Sequence, residues 1–212
     1  MSAAAIRALV DDLAGLPGDE RTFNPYAPDD PGGAVRRANL IRFLTYHADQ
    51  RTPALMLLEA PGYRGCARTG IPITSERIML GQSDHWGLFG AGYRPTSGQP
   101  GGMAEMSASI LWAAIGDQMD RPPLLWNAFP LHPHKPGDRE TNRTPRVSER
   151  RMGLPFVERV IDLYRFEVIF GVGRKAQHSL AELGIAHHPL RHPSQGGKAE
   201  FIAGLEAALK GR

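Results

Sequence analysis

The chain has 212 residues, of which 42% are hydrophobic and 22% charged, with a formal net charge of +3. These values are typical of one globular domain, here 1–212, and the modest positive charge suits an anionic partner. The single cysteine, Cys66, excludes an internal disulfide and a four-thiolate iron–sulfur or zinc site within one chain. Because no apolar stretch reaches the roughly 20 residues that span a bilayer and no secretory leader is recognisable, we expect a cytoplasmic protein without a membrane partner.

Two amphipathic helices are predicted at the start of the chain, and we expect this region, 1–50, to pack on an α/β core. Apolar residues recur at helical spacing in 2–14 and again in 34–49. The stretch between them, 22–33, is rich in Pro, Asp and Gly, which predicts an irregular loop.

The strongest strand signal is the apolar run at 55–58, which is followed at once by Glu-Ala-Pro-Gly at 59–62. A short apolar run that ends in turn residues is typical of a buried parallel strand. In open α/β sheets, ligands bind just beyond the carboxyl ends of the strands. We therefore expect residues 59–63 to form the floor of an active site.

Strands and helices alternate through the rest of the chain, which predicts an α/β fold with a mostly parallel sheet and helices on both faces. Residues 62–102 show little periodicity and predict a long functional loop. Ser148 is a candidate cap for the helix at 148–165, and Pro155 is expected to kink or restart that helix. The remaining predicted elements are a helix at 103–118, a strand at 124–129, a polar loop at 132–147, a strand at 166–173, a helix at 174–183, a strand at 185–190 and a helix at 198–209.

Three of these strand ends carry candidate chemical groups: the carboxylate of Glu59, the amide of Asn127 and the imidazole of His192. If the strands are parallel, the three groups converge at one edge of the sheet. An amide offers a donor and an acceptor that match the O4 and N3–H edge of uracil. An imidazole can donate to a carbonyl oxygen that gathers negative charge, and Glu59 could orient a water molecule. Pairing of Glu59 with Arg64 or Arg68 is the structural alternative.

These motifs resemble the uracil-DNA glycosylase superfamily over residues 54–205. The matching segments are Glu-Ala-Pro-Gly at 59–62, Thr-Gly-Ile-Pro at 69–72, Trp-Asn and the following residues at 126–131, and His-Pro-Ser at 192–194. The resemblance implies a three-layer α/β/α sandwich with a central four-stranded parallel sheet, and a base flipped out of the DNA into a pocket at the sheet edge. It implies that Asn127 reads the pairing edge of the base and that His192 stabilises the departing base as an anion.

Four positions depart from the family pattern: Leu58, Ala60, Gly62 and Ile73. Leu58 replaces a glycine that is common before the Glu. Ala60 stands where other members have a water-activating Asp or an Asn, and the Glu-Ala-Pro-Gly form resembles the iron–sulfur branch, whose cluster one cysteine cannot hold. Ile73 stands where that branch has a base-stacking Phe. Gly62 replaces a bulky Tyr that blocks the thymine methyl group in strict uracil enzymes, so base selectivity is expected to be relaxed unless Tyr63 compensates. Pro61 keeps the family's rigid turn, and the pocket is expected to be formed by Ala60, Pro61, Gly62, Tyr63 and Ile73.

Two regions are expected to contact DNA. The first region surrounds the His-Pro-Ser motif and comprises Arg191, Pro193, Ser194, Gln195, Gly196 and Lys198. The second follows Asn127 and comprises Arg143 and Arg146. The segment after His192 matches the region that wedges into the minor groove in the family, although it lacks a large apolar wedge. For the arginines at 139, 143, 146, 150 and 151, phosphate contact and a solvated surface paired with Glu140 and Glu149 are equally supported.

We therefore predict a monofunctional DNA glycosylase that hydrolyses the N-glycosidic bond of uracil or a related deaminated base in DNA, as in base-excision repair. His132 and His134 are too short a pattern for a metal site, so no metal or cofactor is expected. The partner would be DNA that contains such a base, and the protein would be a monomer. The alternative is a catalytically silent protein of the same fold that binds nucleic acid or a nucleobase; the sequence leaves open the preferred base and the choice between single and double strands.

Overall fold

A computed structural model describes residues 2–82 and 84–211 of the chain. In chain order its elements are α1 (Ala3–Ala14), β1 (Thr22–Phe23), α2 (Gly33–Asp49), β2 (Ala54–Leu58), α3 (Cys66–Thr69), α4 (Glu76–Met79), α5 (Met106–Gln118), β3 (Leu124–Asn127), β4 (His132–Pro133), α6 (Val147–Tyr164), β5 (Val168–Val172), α7 (Arg174–Glu182), β6 (His188–Leu190) and α8 (Lys198–Lys210). Within the described residues, no helix combines the length and apolar character needed to cross a membrane.

The central sheet has four parallel strands in the order β3-β2-β5-β6, with helices on both sides. This confirms the predicted three-layer α/β/α sandwich. Leu58 at the end of β2 pairs with Asn127 at the end of β3, and Val172 at the end of β5 pairs with Leu190 at the end of β6. All four strands therefore end at the same edge of the sheet, where the predicted site was expected.

The core forms around β2, whose five residues are all buried. On α1, the four buried residues are Ile6, Leu9, Val10 and Leu13, which follow the helical spacing seen in the sequence and join the same core. The hydroxyl of Ser2 accepts a hydrogen bond from the backbone N–H of Ala5 and so begins this helix. Full burial of each such leucine contributes roughly 1.5–3 kcal/mol to the hydrophobic stabilisation.

Two predicted loops contain structure that the sequence pattern does not reveal. Thr22 and Phe23 pair with Pro133 and His132 in a small antiparallel sheet, β1-β4. The predicted long loop at 62–102 contains the short helices α3 and α4. Strands of two residues and helices of four are too short to show a hydrophobic period, so the loop predictions are wrong at these places.

Several element boundaries also differ from the predictions. Helix α5 begins at Met106 rather than 103, and β3 ends at Asn127 rather than 129. Helix α6 is one helix that runs through Pro155, so the predicted restart there is wrong. Ser148 lies inside α6, and the carboxylate of Glu149 accepts the backbone N–H of Arg146 at 2.6 Å in place of a Ser148 cap. Strands β5 and β6 are also shorter than predicted, at Val168–Val172 and His188–Leu190.

The buried carboxylate of Glu76 fastens the loop at 94–103. It accepts the backbone N–H groups of Thr96 at 2.7 Å, Ser97 at 2.8 Å and Met103 at 2.9 Å, and also the Ser97 hydroxyl. Glu76 is fully buried, so each of these donors would lose its partner without the carboxylate. The carboxylate therefore holds an otherwise irregular segment in one conformation.

The Glu76→Gln variant is expected to lose about 1–3 kcal/mol of unfolding free energy at pH 7. The NH₂ group of glutamine cannot accept a hydrogen bond, so some of the backbone N–H groups that now donate to the carboxylate would lose their acceptor. Burial raises the pKa of Glu76, but the hydrogen bonds from Ser97, Met103 and Thr96 outweigh burial and hold the pKa below its ordinary value of 4.5. A lowered folded-state pKa gives stability that is complete above the unfolded value and is lost as the pH falls through the folded value.

Urea denaturation of wild type and Glu76→Gln at pH 7 and pH 3 measures this effect. The difference between the two proteins should shrink at the lower pH. An equal difference at both pH values would show that the charge on Glu76 does not stabilise the loop.

Candidate active site

The carboxyl ends of the four parallel strands open into one cleft made of two adjoining cavities. One, of about 770 Å³, is lined by Lys175 among other residues and is called the Lys175 cavity. The other, of about 420 Å³, is lined by Glu105 and is called the Glu105 cavity. Both cavities are lined by Glu59, Thr144, His192, Ser194 and Gln195, so these residues form the boundary that the cavities share.

Glu59 stands at this boundary, directly after β2. Burial raises the pKa of the Glu59 carboxyl, while the charge of Lys175 and a hydrogen bond from the Thr144 hydroxyl oppose that increase. The alternative pairing with Arg64 or Arg68 is wrong. Arg68 lies 3.1 Å from the carboxylate of exposed Glu140, and the guanidinium of Arg64 lies over the ring of Tyr63 at 5.2 Å. Glu59 is thus left facing the cleft, beside a cation and a hydroxyl.

The turn at Pro61 is held in place by His132, which is fully buried. Its Nδ1 lies 2.8 Å from the Pro61 carbonyl oxygen, and its Nε2 lies 3.0 Å from the Arg139 carbonyl oxygen. His134 Nδ1 is likewise 2.8 Å from a backbone carbonyl, that of Lys135. These imidazoles therefore bind backbone, and in the part of the chain that the structure describes no three His, Cys, Asp or Glu side chains are grouped as metal ligands.

His192 lies on both cavities with one of its ring nitrogens engaged. Nδ1 accepts the backbone N–H of Ser194 at 3.2 Å, and the Ser194 hydroxyl lies 2.7 Å from it. The neutral ring must then carry its proton on Nε2. Burial and the nearby charge of Arg191 lower the pKa of His192, so the ring is neutral at pH 7. The result is an oriented neutral imidazole that can donate a hydrogen bond from Nε2.

Asn127 lies next to Leu58 at the end of β3 but lines neither cavity. Its Nδ2 donates to the sulfur of Cys66 at 3.6 Å, and its Oδ1 is buried without a hydrogen-bond partner among the described residues. Burial raises the pKa of the Cys66 thiol to about 12, so the amide faces a neutral thiol. The structure therefore places the Asn127 amide near the cleft but behind its lining.

Ile73 lines the Glu105 cavity in an unusual backbone conformation. Its φ of +44° is rare for a β-branched residue. The indole N–H of buried Trp112 donates to the Ile73 carbonyl at 3.0 Å, which helps to hold this conformation. Tyr63 lines neither cavity, and its backbone N–H donates to the Asn142 side chain at 3.0 Å. The side chain of Tyr63 therefore does not compensate for the missing side chain at Gly62.

A different side chain, Glu105, occupies the space beside Gly62. A Cβ atom at Gly62 or at Gly65 would collide with a carboxyl oxygen of Glu105. The expectation that Gly62 leaves an open wall is thus wrong, because the missing side chain makes room for this carboxyl. Burial raises the pKa of Glu105 to about 7. Sequence reasoning missed Glu105 because it placed the residue inside a helix at 103–118 with no local feature to mark it.

The predicted phosphate contact at Arg143 conflicts with its hydrogen bonds. Its guanidinium binds the Glu149 carboxylate twice, at 2.6 and 2.7 Å. It also donates to the backbone carbonyls of His134, Thr144 and Arg21. A guanidinium has five N–H donors, and all of them are used within the protein. Arg143 therefore holds loops together and has no N–H group left to donate to a phosphate.

The other arginines of this region divide between the two earlier interpretations. Arg150 and Arg151 both pair with Glu182, at 2.9 and 2.7 Å. Arg139 lies over the ring of Phe23 at 4.6 Å. Arg146 is exposed, and none of its guanidinium nitrogens is hydrogen-bonded to the described residues. Of the two predicted contacts beyond Asn127, Arg146 alone keeps its charge available.

Positive charge instead gathers around the Lys175 cavity. Arg174 and Lys175 come from the first turn of α7, and Arg191 comes from the loop after β6. Sequence reasoning named only Arg191, because the first two residues come into the cleft through the β5–α7 connection. Of the other residues predicted to contact DNA, Gln195, Gly196 and Lys198 are exposed, Ser194 is half-buried and Pro193 is buried.

Comparison with known proteins leaves the family open: no protein-family model matches the chain, and no curated protein is significantly similar to it.

Proposed function

We propose that the protein is a monofunctional DNA glycosylase that hydrolyses the N-glycosidic bond of uracil or a related deaminated base in DNA. The observation that carries this proposal is the cleft itself. An oriented neutral imidazole, His192, and a carboxyl group, Glu59, line the boundary between the Glu105 cavity and the Lys175 cavity, which has three basic side chains. The resemblance of the motifs at 59–62, 126–131 and 192–194 to uracil-DNA glycosylases supports the same function.

The chemistry requires a donor for the departing base and an acceptor for the attacking water. When the bond between C1′ of the sugar and the base nitrogen breaks, its electron pair leaves with the base. The Nε2–H of His192 would stabilise the resulting charge on a carbonyl oxygen. Glu59, whose ionised form is favoured by the charge of Lys175, would accept a proton from the water that attacks C1′.

The DNA backbone would lie along the Lys175 cavity. Arg174, Lys175 and Arg191 would attract the phosphates beside the extruded nucleotide. Such contacts fix the register of the strand without reading its sequence, while the Glu105 cavity receives the base. As part of the same proposal, the protein acts in the cytoplasm as a monomer and uses no metal or other cofactor.

The proposal is tested with purified protein and oligonucleotides that each carry one uracil, hypoxanthine or xanthine, as single strands and as duplexes. Base release leaves an abasic site that alkali cleaves, and the expected result is cleavage at the modified position in at least one substrate. Matched strands with the ordinary base should stay intact. Absence of cleavage on all three bases, in both strand forms, would overturn the proposal.

A silent binding protein of the same fold is the second candidate. Two observations favour it: Ala60 supplies no water-activating group, and the Asn127 amide does not line either cavity. This candidate predicts salt-dependent binding of uracil-containing DNA without turnover. A single-turnover time course with protein in excess separates it from the glycosylase.

A further inference from the structure

Glu105 differs from the other carboxylate of the cleft in its surroundings. Glu59 lies near the cation Lys175 and the hydroxyl of Thr144. Among the described residues, no group donates a hydrogen bond to the Glu105 carboxyl oxygens and no Lys or Arg forms a salt bridge with them. These oxygens lie instead against the backbone of Gly62 and Gly65. The surroundings of Glu105 thus favour the neutral acid.

The charged and titratable groups around Glu105 do not reverse this preference. The thiol of Cys66 on α3 is neutral because burial raises its pKa to about 12. Glu59, at the end of β2, lines the same cavity but brings no positive charge to it, and His192 is neutral. Arg143 is also on this cavity, but its charge is paired with Glu149. Burial raises the pKa of Glu105 to about 7, so the acid form dominates below neutral pH.

A protonated carboxyl has an O–H donor next to a carbonyl acceptor. This is the hydrogen-bonding pattern of an amide, and it is complementary to a keto oxygen that lies beside a ring N–H. Uracil, hypoxanthine and xanthine all present such an edge. An ionised carboxylate has acceptors only, so one of its oxygens would face the keto oxygen without a hydrogen between them.

We propose that Glu105, as a carboxylic acid, binds the keto oxygen and the adjacent ring N–H of the deaminated base in the Glu105 cavity, an inference that rests on the proposed function. Glu105 lines that cavity together with Ile73 and His192, whereas the Asn127 amide, which the sequence predicts for this role, turns toward Cys66. Glu105 is then the residue that determines base specificity, with His192 acting on the same base.

The test is single-turnover excision of uracil from a single-stranded oligonucleotide between pH 5.5 and pH 9. The wild-type rate should fall about tenfold per pH unit above the Glu105 pKa of about 7. Glu105→Gln keeps a donor and an acceptor at every pH, so it should stay active and lose this decline. Glu105→Leu keeps the size without polar atoms and should be about 10–100-fold slower at pH 6.

Glu140→Gln is the matched control, because Glu140 is an exposed glutamate that pairs with Arg68 and lines neither cavity. It should keep the wild-type pH profile. Titration of His192 cannot produce the decline above pH 7, because its pKa is lowered from 6.5 and its change of charge falls below that pH. Thermal unfolding of each variant shows whether a loss of rate reflects a loss of structure.

The outcomes separate this inference from the glycosylase proposal. Three results would overturn the inference and leave the glycosylase proposal intact. The wild type could be active without a decline above pH 7, Glu105→Gln could show the same decline, or a folded Glu105→Leu could be fully active.

If the wild type cleaves none of the three bases, binding is compared for a uracil-containing strand and the same strand with an abasic analogue. The wild type should then bind the uracil-containing strand more tightly than the abasic strand below pH 7 and lose this preference above pH 7, whereas Glu105→Gln should keep it. A wild-type preference that does not change with pH, or no preference at any pH, would overturn the inference too.

Discussion

Replacement of His192 by alanine is expected to slow uracil excision by a factor of about 10²–10³. In the proposed reaction, the Nε2–H of His192 donates to the base oxygen on which negative charge develops, and the backbone N–H of Ser194 fixes the ring in the tautomer that can do so. A donor held in place in advance stabilises the transition state more than the ground state, so the loss should fall on the rate of the chemical step. Single-turnover rates with protein in excess measure that step.

Two variants control for this result. Ser194→Ala removes the hydroxyl near Nδ1 but keeps the backbone N–H that sets the tautomer, so it should cost much less than His192→Ala. His178 is an exposed histidine on α7 that lines neither cavity, and His178→Ala should leave the rate unchanged. If folded His192→Ala retained the wild-type rate, the assignment of His192 would be wrong.

The substitution Gly153→Ala is expected to destabilise the protein by about 3 kcal/mol, near the upper end of the usual cost of overpacking. Gly153 lies on α6 where the helix crosses the chain just beyond β3. A Cβ atom there would collide with the carbonyl oxygen of Ala128 and lie 3.1 Å from the Cα of Phe129. Both contacts are with backbone, which cannot turn away as a side chain can, so α6 would have to move off the end of β3.

Gly204→Ala on α8 is the matched control. The nearest atom to a Cβ at Gly204 is a terminal methyl carbon of Leu190, at 3.2 Å, and a small rotation of that side chain relieves the contact. Alanine also favours the helix by roughly 0.5–1 kcal/mol over glycine, so this variant should change stability little. Urea denaturation of the two variants measures the contrast, and equal stabilities would contradict the close packing of α6 on β3.

The sheet could be predicted because its signals are local. The apolar run of β2 and the turn residues that follow it identify a buried strand and its end. The alternation of strands and helices then implies parallel strands, and parallel strands place Glu59 and the loop of His192 at one edge. Short polar motifs after the strands thus indicated which residues lie together at one edge of the sheet.

The lining of the cleft could not be predicted in the same way, because it depends on contacts between residues far apart in sequence. Glu105 reaches the cavity only because Gly62 and Gly65 leave room for it. Arg143 has the sequence context of a phosphate ligand, yet the Glu149 carboxylate occupies its guanidinium. The amide of Asn127 follows its strand as expected, but its Nδ2 donates to the sulfur of Cys66 and the residue lines neither cavity.

A crystal structure with an oligonucleotide that carries 2′-fluoro-arabinosyl uracil, whose fluorine slows cleavage of the glycosidic bond, tests the central claim most directly. The uracil is expected outside the DNA stack in the Glu105 cavity, with one of its keto oxygens within hydrogen-bond distance of His192 Nε2 and a backbone phosphate in the Lys175 cavity. A uracil that stays stacked in the DNA, or one that binds on another face of the protein, would contradict the account.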